Sequence, residues 1–567
     1  MFSSLNPIPS LPEYTGPYKV ATTEFEIPIS EIQSSSTVPD SQISTVKFRL
    51  FYPTSPDSTS KQSVYWLPNP QNKWVEAYAS FMGAGSTFST LLSHLPSLLN
   101  YITIPAIKDA PLLPPETSPW PVCIFSHGLG GNYNTYSSIV GSLASCGVVC
   151  IAPEHRDGSA PVSFIRNAEG KIVATIPYQK HSHSPSTEVL NARNDQLRIR
   201  LWELELIYMV IQSMNDGKQF TNYAEDVQSY INLKNQVNLQ PGKVTWAGHS
   251  FGAATQTQFV KSIFYHQHLP TNNEDAAGWN WTPLYQTTSN SDLVKQITAQ
   301  SPVALLDLWT MPLRSETTKW LWERPMPCYA RDHWLNTDNK NSTPNTIAIM
   351  SAEFHNWTEM LNRTRALLSK SPVEAIALFK NKQSGKEGSR AASIQERKAQ
   401  EASKLPSKLI PELSKQEPTS QCSSAGSSPD SSRDPSPARS TESLDPSDVS
   451  PASSQSSLPL PEYQHETSAS TETSSTSAIE PHLYLIPQSA HLSQSDFGPL
   501  FPSLVKYVMK AIEPEKTLEL NVRAIAAVMK GRDLPVKTLV KAEEDHILNG
   551  DDLAKEPRWV RLPLVDA

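Results

Sequence analysis

The chain predicts an α/β fold, a mostly parallel sheet with helices on both faces. Three observations carry that expectation. Short apolar runs of strand length recur along the 567 residues and alternate with stretches of helical periodicity, the pattern of a parallel sheet joined by helical crossovers. Several of these runs end on acids, histidines or glycines, as expected where a parallel sheet gathers its ligand-binding groups at the strands' C-terminal ends. One run, Lys243 to Ala247, enters Gly248-His249-Ser250-Phe251-Gly252 and then Ala253 and Ala254. That is a strand turning sharply into a small-residue helix.

A serine at such a turn takes a strained backbone conformation that only very small residues two places away on either side can flank. Gly248 and Gly252 are those residues, so Ser250 is lifted clear of the backbone as the candidate nucleophile. The helix beginning at Phe251 aims its free N–H groups and positive dipole end at the same point.

Composition bounds the remaining possibilities. A net charge of −8 with scattered Lys and Arg offers no basic stripe for nucleic acid and no polybasic membrane anchor. Cys123, Cys146, Cys150, Cys328 and Cys422 have no metal-ligand spacing, and their odd number argues against a disulfide framework. The first residues lack the basic start and apolar core of a signal peptide, and no run approaches the roughly 18 apolar residues of a membrane span. The expectation is a cytoplasmic protein with reduced thiols, in which the sequons at Asn280, Asn341, Asn356 and Asn362 stay unmodified.

Taken in order, Val46 to Pro53 places Val46, Phe48, Leu50 and Tyr52 on one face, the pattern of a half-exposed edge strand with Val64 to Pro68 as its neighbour. From Phe88 to Ile102, apolar residues at helical spacing make a stripe broken at Pro96, and no Lys or Arg lies on it. The stripe fits either a core-packed helix or one that docks on lipid. Pro121 to Ser126 is an apolar strand opening into His127-Gly128-Leu129-Gly130-Gly131. Glycines let backbone N–H groups approach a ligand oxygen there, and without nucleotide-loop spacing the expected use is an oxyanion hole, with His127 orienting the loop. Val148 to Pro153 runs into Glu154-His155-Arg156-Asp157, a set that either contacts substrate or forms a buried ion network. Arg193 to Met214 reads as a long helix with Leu197, Leu201, Leu204, Tyr208 and Ile211 on one face. Val303 to Trp309 carries Asp307, and Thr346 to Phe354 carries Glu353, each acid at a strand end.

From 381 to 478 the sequence becomes rich in Ser, Pro, Glu, Thr and Gln, a composition that cannot bury enough apolar surface to offset the entropy of ordering. A disordered insertion is expected there, dividing a core of 1–380, with an N-terminal extension of about 17 residues, from 479–567. The core resumes with His482 to His491, a last strand ending in histidine. Phe497 to Ile512 and Leu518 to Met529 then read as closing helices, and the tail after Arg532 is weakly patterned.

Strand ends thus offer Ser250, an acid and His491 in the order that alpha/beta hydrolases use. A serine hydroxyl is a poor nucleophile until an imidazole takes its proton, and the imidazole needs a carboxylate to fix its tautomer. Beyond that pattern, the sequence resembles the plasma-type, type II platelet-activating factor acetylhydrolase family. The likeness rests on Phe125 to Gly130, Glu154 to Asp157, Gly248 to Gly252, Leu306 to Trp309 and Met311 to Leu313. It spans roughly Tyr18 to Lys380 and Pro481 to Arg532. The common hydrolase layout favours Glu353 as the acid, whereas the resemblance implies Asp307, one strand earlier. It also implies the backbone N–H groups of Leu129 and Phe251 as oxyanion donors, no cofactor and no metal, and a loose counterpart of a membrane-docking helix around Leu98.

The function expected from this is calcium-independent hydrolysis of short or oxidised sn-2 acyl esters of glycerophospholipids. A general carboxylesterase or lipase of the same fold differs only in pocket shape. A catalytically idle scaffold acting through the insertion is the alternative of a different class, but the complete triad and the unobstructed turn speak against it.

Overall fold

The computed structural model describes residues 8–34, 36, 38–83, 98–224, 231–270, 283–330, 344–381, 480–538 and 559–564. The expected insertion from 382 onward and the stripe from Phe88 to Pro96 lie outside them.

The strands, in chain order, are β1 (Lys19–Pro28), β2 (Thr45–Thr54), β3 (Val64–Tyr65), β4 (Thr103–Ile104), β5 (Ile107–Lys108), β6 (Val122–Ser126) and β7 (Val149–Glu154). They continue with β8 (Val162–Arg166), β9 (Ile172–Pro177), β10 (Val244–His249), β11 (Val303–Leu306), β12 (Thr346–Ser351), β13 (His482–Ile486) and β14 (Val560–Leu562). Ten of them form one sheet in the order β14-β13-β12-β11-β10-β6-β7-β2-β1-β5. From β7 to β13 neighbouring strands are parallel, so each connection must cross a face of the sheet, and helices make the crossings. Ser137–Ser145 joins β6 to β7, Thr187–Asn215 precedes β10, and Phe251–Phe264 follows it.

Alternation along the strands decides what each face holds. Val122, Ile124, Val244, Trp246, Val303 and Leu305 pack with Leu197, Leu201, Leu204, Phe259 and Val260 of two helices. The intervening residues Cys123, Phe125, Ala247, Ala304, Leu306, Ile347 and Ile349 pack with Ile139, Val140 and Leu143, and with Ile525 and Val528 of the helix Pro514–Lys530. Helices therefore cover both faces, and the central strands are buried throughout.

Several expectations are corrected. The run from Val46 is no edge strand: β2 is buried along its length and lies between β1 and β7, antiparallel to both. Its expected neighbour β3 pairs instead with β4 in a separate two-stranded sheet. The true partner, β1, is concealed in the sequence by Glu24 and Glu26, which look solvent-facing. Their charge is met across the strands, where Lys47 Nζ lies 2.7 Å from Glu24 and 3.6 Å from Glu26, and Arg49 reaches Glu24 at 2.6 Å. Burial acts to raise the Glu24 pKa, but Lys47 and Arg49 outweigh it and hold the carboxyl at about 2. The long helix begins at Thr187, before the apolar periodicity does, because the Ser186 side chain caps it by accepting from Val189 N–H. The single helix expected from Phe497 breaks after Leu500, ahead of Pro502, and resumes as a short π-helix at Leu504–Val508. The weakly patterned tail contributes β14, antiparallel to β13 at the sheet's edge.

Candidate active site

The strand order brings the C-terminal ends of β6, β10, β11, β12 and β13 side by side. At the end of β10, Ser250 has φ 58° and ψ −116° and leads straight into the helix Phe251–Phe264. The left-handed φ is the strained elbow that the flanking glycines predict. Gly252 has to be glycine, since a Cβ there would sit 1.9 Å from the Ser126 carbonyl oxygen. The elbow is pinned to the neighbouring strand end by Ser250 N–H donating to Leu306 O at 2.9 Å and Trp309 N–H donating to Ser250 O at 3.2 Å.

Asp307 follows β11, is fully buried, and also has a positive φ of 41°. Its Oδ1 accepts the Ser351 N–H at 2.6 Å, and its Oδ2 accepts the Ser351 hydroxyl at 2.6 Å and His491 Nδ1–H at 2.9 Å. His491 follows β13 after a turn. With Nδ1 carrying the proton given to Asp307, Nε2 is left as the basic nitrogen. The ring is gripped between Phe354, stacked at 4.2 Å and 7°, and His249, at 4.3 Å and 34°. Glu353, the other acid considered, accepts the backbone N–H of His491 at 2.9 Å. The structure thus brings Asp307 to the imidazole and Glu353 to the main chain of the same residue. Among the described residues no hydrogen bond joins the Ser250 hydroxyl to His491, and catalytic contacts of this kind commonly close only in the reacting complex.

The glycine-rich loop after β6 lies against the elbow, close enough that a Cβ on Gly128 would be 3.0 Å from Ser250 Cβ. Within it, Gly128 N–H donates to the Tyr136 hydroxyl at 3.1 Å, Gly130 N–H to Ser159 O at 2.8 Å and Gly131 N–H to Gly128 O at 3.1 Å. Leu129 N–H and, at the helix start, Phe251 N–H take no partner among the described residues. These are the two donors the sequence resemblance implies. His127 holds the loop as expected: its Nδ1 donates to Gly128 O at 2.9 Å and its Nε2 accepts His155 N–H at 3.2 Å. Burial, with Arg200 nearby, pushes its pKa down to about 3, which keeps it neutral.

Behind the loop, the Glu154 to Asp157 segment is a buried network. His155 bridges Ser126 Oγ and Glu203, at 2.8 Å each. Arg200 joins Asp157 at 2.6 Å and donates to His127 O at 2.9 Å. Burial raises Glu203 to about 8 against the pull of Arg156, and Glu154 to about 7 against that of Lys47. Of the two readings of this segment, the network is the one the geometry contains.

Sequence reasoning missed Tyr136, Ser351, Phe354 and Asp496, and assigned no role to His249. Asp496, five residues past His491, ties that segment to the start of the helix Ser137–Ser145 by accepting Ser137 N–H at 3.0 Å and Ser138 N–H at 2.9 Å, and also accepts Trp66 Nε1–H at 3.1 Å. A serine pair opening a helix could have signalled a carboxylate partner, but nothing local says which one. His249, Asp307 and His491 bring one nitrogen or oxygen each within 4.8 Å of one another. A metal ion there would have to displace the Asp307–His491 hydrogen bond.

The family model described as "Platelet-activating factor acetylhydrolase, isoform II" matches residues 4–327, a span that contains Ser250 and Asp307 but stops short of His491. A protein of Schizosaccharomyces pombe named "Putative phospholipase A2" is 31% identical over 258 residues, covering 43% of this chain and 58% of that protein. The platelet-activating factor acetylhydrolase of Canis lupus familiaris is 30% identical over 214 residues, 37% of this chain and 45% of that protein. That of Cavia porcellus is 32% identical over 256 residues, 44% and 52% respectively. The chain spans about half the length of the curated relatives it matches. Among solved structures, a ferulic acid esterase from Streptomyces cinnamoneus overlaps 53% of this chain and 68% of its own at 17% identity, with a TM-score of 0.29.

Proposed function

The chain belongs to the platelet-activating factor acetylhydrolase isoform II family, and on that premise we propose that it is a serine esterase acting on glycerophospholipids, removing an acetyl or other short or oxidised acyl group from the sn-2 position. The observation that carries the proposal is the Asp307–His491 bond of 2.9 Å beside an elbow serine packed against a glycine-rich loop, with the Leu129 and Phe251 N–H groups taking no partner among the described residues.

In this reading, Ser250 Oγ attacks the ester carbonyl carbon while its proton passes to His491 Nε2. The carbonyl oxygen, now carrying the charge, is held by Leu129 and Phe251 N–H, each such donor contributing about 3 kcal/mol to the barrier's reduction. The ester C–O bond breaks, and His491 returns the proton to the departing lysophospholipid oxygen. Water repeats the sequence on the acyl-enzyme and frees the acid. Asp307 keeps Nδ1 protonated throughout. These steps use no metal, so calcium chelation leaves turnover unchanged.

Two extensions go with the proposal. The apolar region around Leu98 meets the lipid surface that presents substrate. The enzyme works in the cytoplasm, which suits the free thiols of Cys123, Cys146, Cys150 and Cys328.

A fluorophosphonate probe, applied to the full chain and to Ser250→Ala, tests the reading. Labelling and ester turnover in the native chain, both lost in the folded variant, support it; an unlabelled native chain would favour an idle scaffold. A substrate panel then separates the readings within the enzyme class. Preference for 1-alkyl-2-acetyl phospholipid over simple esters and triglycerides supports the phospholipid assignment, and the opposite order supports a general carboxylesterase or lipase.

A further inference from the structure

His249 lies within the elbow, yet the mechanism above gives it nothing to do. It is 3% exposed, its ring is 4.3 Å from that of His491, and its Nε2 is buried without a hydrogen bond of ordinary geometry among the described residues. A buried polar nitrogen left in that condition, donor or acceptor, costs about 1–3 kcal/mol, so its retention one residue from the nucleophile asks for a reason.

The reason begins at Tyr136. Its hydroxyl accepts the Gly128 N–H at 3.1 Å and lies 2.8 Å from His249 Nδ1. A phenol has one proton to give. If Nδ1 of His249 donated to the phenol, the Tyr136 proton would itself be buried without use, and the Nε2 lone pair of His249 would face the His491 segment. If the phenol donates instead, the donors of Gly128 and Tyr136 are both satisfied and of these three residues only His249 Nε2–H is left, turned toward His491.

We infer that His249 is a positioning residue: Tyr136 fixes it as the Nε2–H tautomer, so that the oxyanion loop and the general base are joined through Gly128 N–H, Tyr136 Oη and His249. Burial, with His491 adding to it, keeps His249 neutral well below the ordinary histidine pKa, while an interaction with the His491 backbone favours a proton on the ring. His491 is then held by Asp307 at Nδ1, by Glu353 at its main-chain N–H, and between Phe354 and His249 across the ring. Leu129, next to Gly128 in the loop, is set in register with the base by the same link.

The inference rests on the reading of His491 as the general base, and its test separates the two. Nitrogen-15 NMR of the full chain labelled at histidine, assigned by the signal that disappears in His249→Gln, reads the tautomer without reference to activity. A proton on Nε2 in the native chain, giving way to a mixture in Tyr136→Phe, is the expected result; a proton on Nδ1 in the native chain overturns the inference. On a soluble short-chain ester, Tyr136→Phe and His249→Leu are expected to lower kcat on the order of 10- to 100-fold with KM within about twofold, as losses of residues that orient a catalytic group do. His249→Gln, which keeps an N–H donor at similar reach, recovers most of that loss. Native kcat in Tyr136→Phe, or a Gln variant no better than Leu, also overturns it. With Ser250→Ala run alongside, an inactive serine variant beside an unaffected Tyr136→Phe defeats this inference alone, and an active serine variant defeats the reading beneath it.

Discussion

Glu353 holds His491 by its backbone N–H, at 2.9 Å, while Asp307 takes the imidazole Nδ1 at the same distance. Two acids at adjacent strand ends therefore serve one histidine in unequal ways. Asp307→Asn turns an acceptor into a group that can stabilise the wrong tautomer, and kcat is expected to fall by about 10⁴-fold. Glu353→Gln keeps an acceptor oxygen and loses only the charge behind one exposed hydrogen bond, about 1 kcal/mol or roughly fivefold in rate. Steady-state kinetics of the two folded variants decide the matter, and the reverse ranking would return the acid to Glu353.

Ser250, Asp307 and His491 could be picked out because each stands at the end of an apolar run, and a strand end is readable from its own few residues. The acid was not settled by that logic, since Asp307 and Glu353 look alike until β13 brings His491 between them. β1 and β14 were illegible for a related reason. The glutamates of β1 are neutralised by Lys47 and Arg49 of another strand, and the Val-Arg-Leu of β14 is a strand only because β13 offers an edge. Tyr136, Ser351 and Asp496 act through partners far away in sequence, which no local pattern names.

Gly252 is where the elbow and the glycine-rich loop after β6 touch. A Cβ there would meet Ser126 O at 1.9 Å and His127 O at 2.8 Å, backbone atoms that can yield only if the loop moves. Gly252→Ala is expected to cost about 1–3 kcal/mol of stability and, by displacing the Leu129 N–H, about 10²-fold in kcat. Thermal melting and turnover measured on one preparation check both, and native values of the two would show that the loop has room.

The network behind the loop makes stability depend on pH. Burial holds Glu203 at about 8 and Glu154 at about 7, so the folded chain keeps protons that the unfolded chain releases near pH 4.5. Their stabilising contribution is complete below that value and is lost as pH rises through 7 and 8, by up to about 1.4 kcal/mol per pH unit for each group. Glu203→Gln cannot titrate, so its melting temperature should fall less steeply than the native one between pH 5 and 8. Parallel slopes would mean that Glu203 is already ionised in the folded chain.

The approach to lipid is tested best at the apolar side chains that the structure leaves exposed beside the Phe88 to Ile102 stripe. Met82 is 79% exposed, Leu98 49% and Tyr101 57%, whereas Ile102 is buried at 1%. The end of the stripe thus divides between core and solvent. No Lys or Arg occurs between Phe81 and Ile102, so attraction to a membrane through this region has to come from apolar burial, about 25 cal/mol per Å² removed from water. Added salt screens charge and leaves that term nearly untouched. Met82→Asp combined with Leu98→Asp should therefore lower binding to neutral phosphatidylcholine vesicles by about tenfold or more. Turnover of phospholipid within those vesicles should fall in step, while a soluble short-chain ester is cleaved at the native rate. Equal loss on both substrates would place these side chains in the service of the pocket or the fold, and undiminished vesicle binding would send the docking surface elsewhere on the molecule.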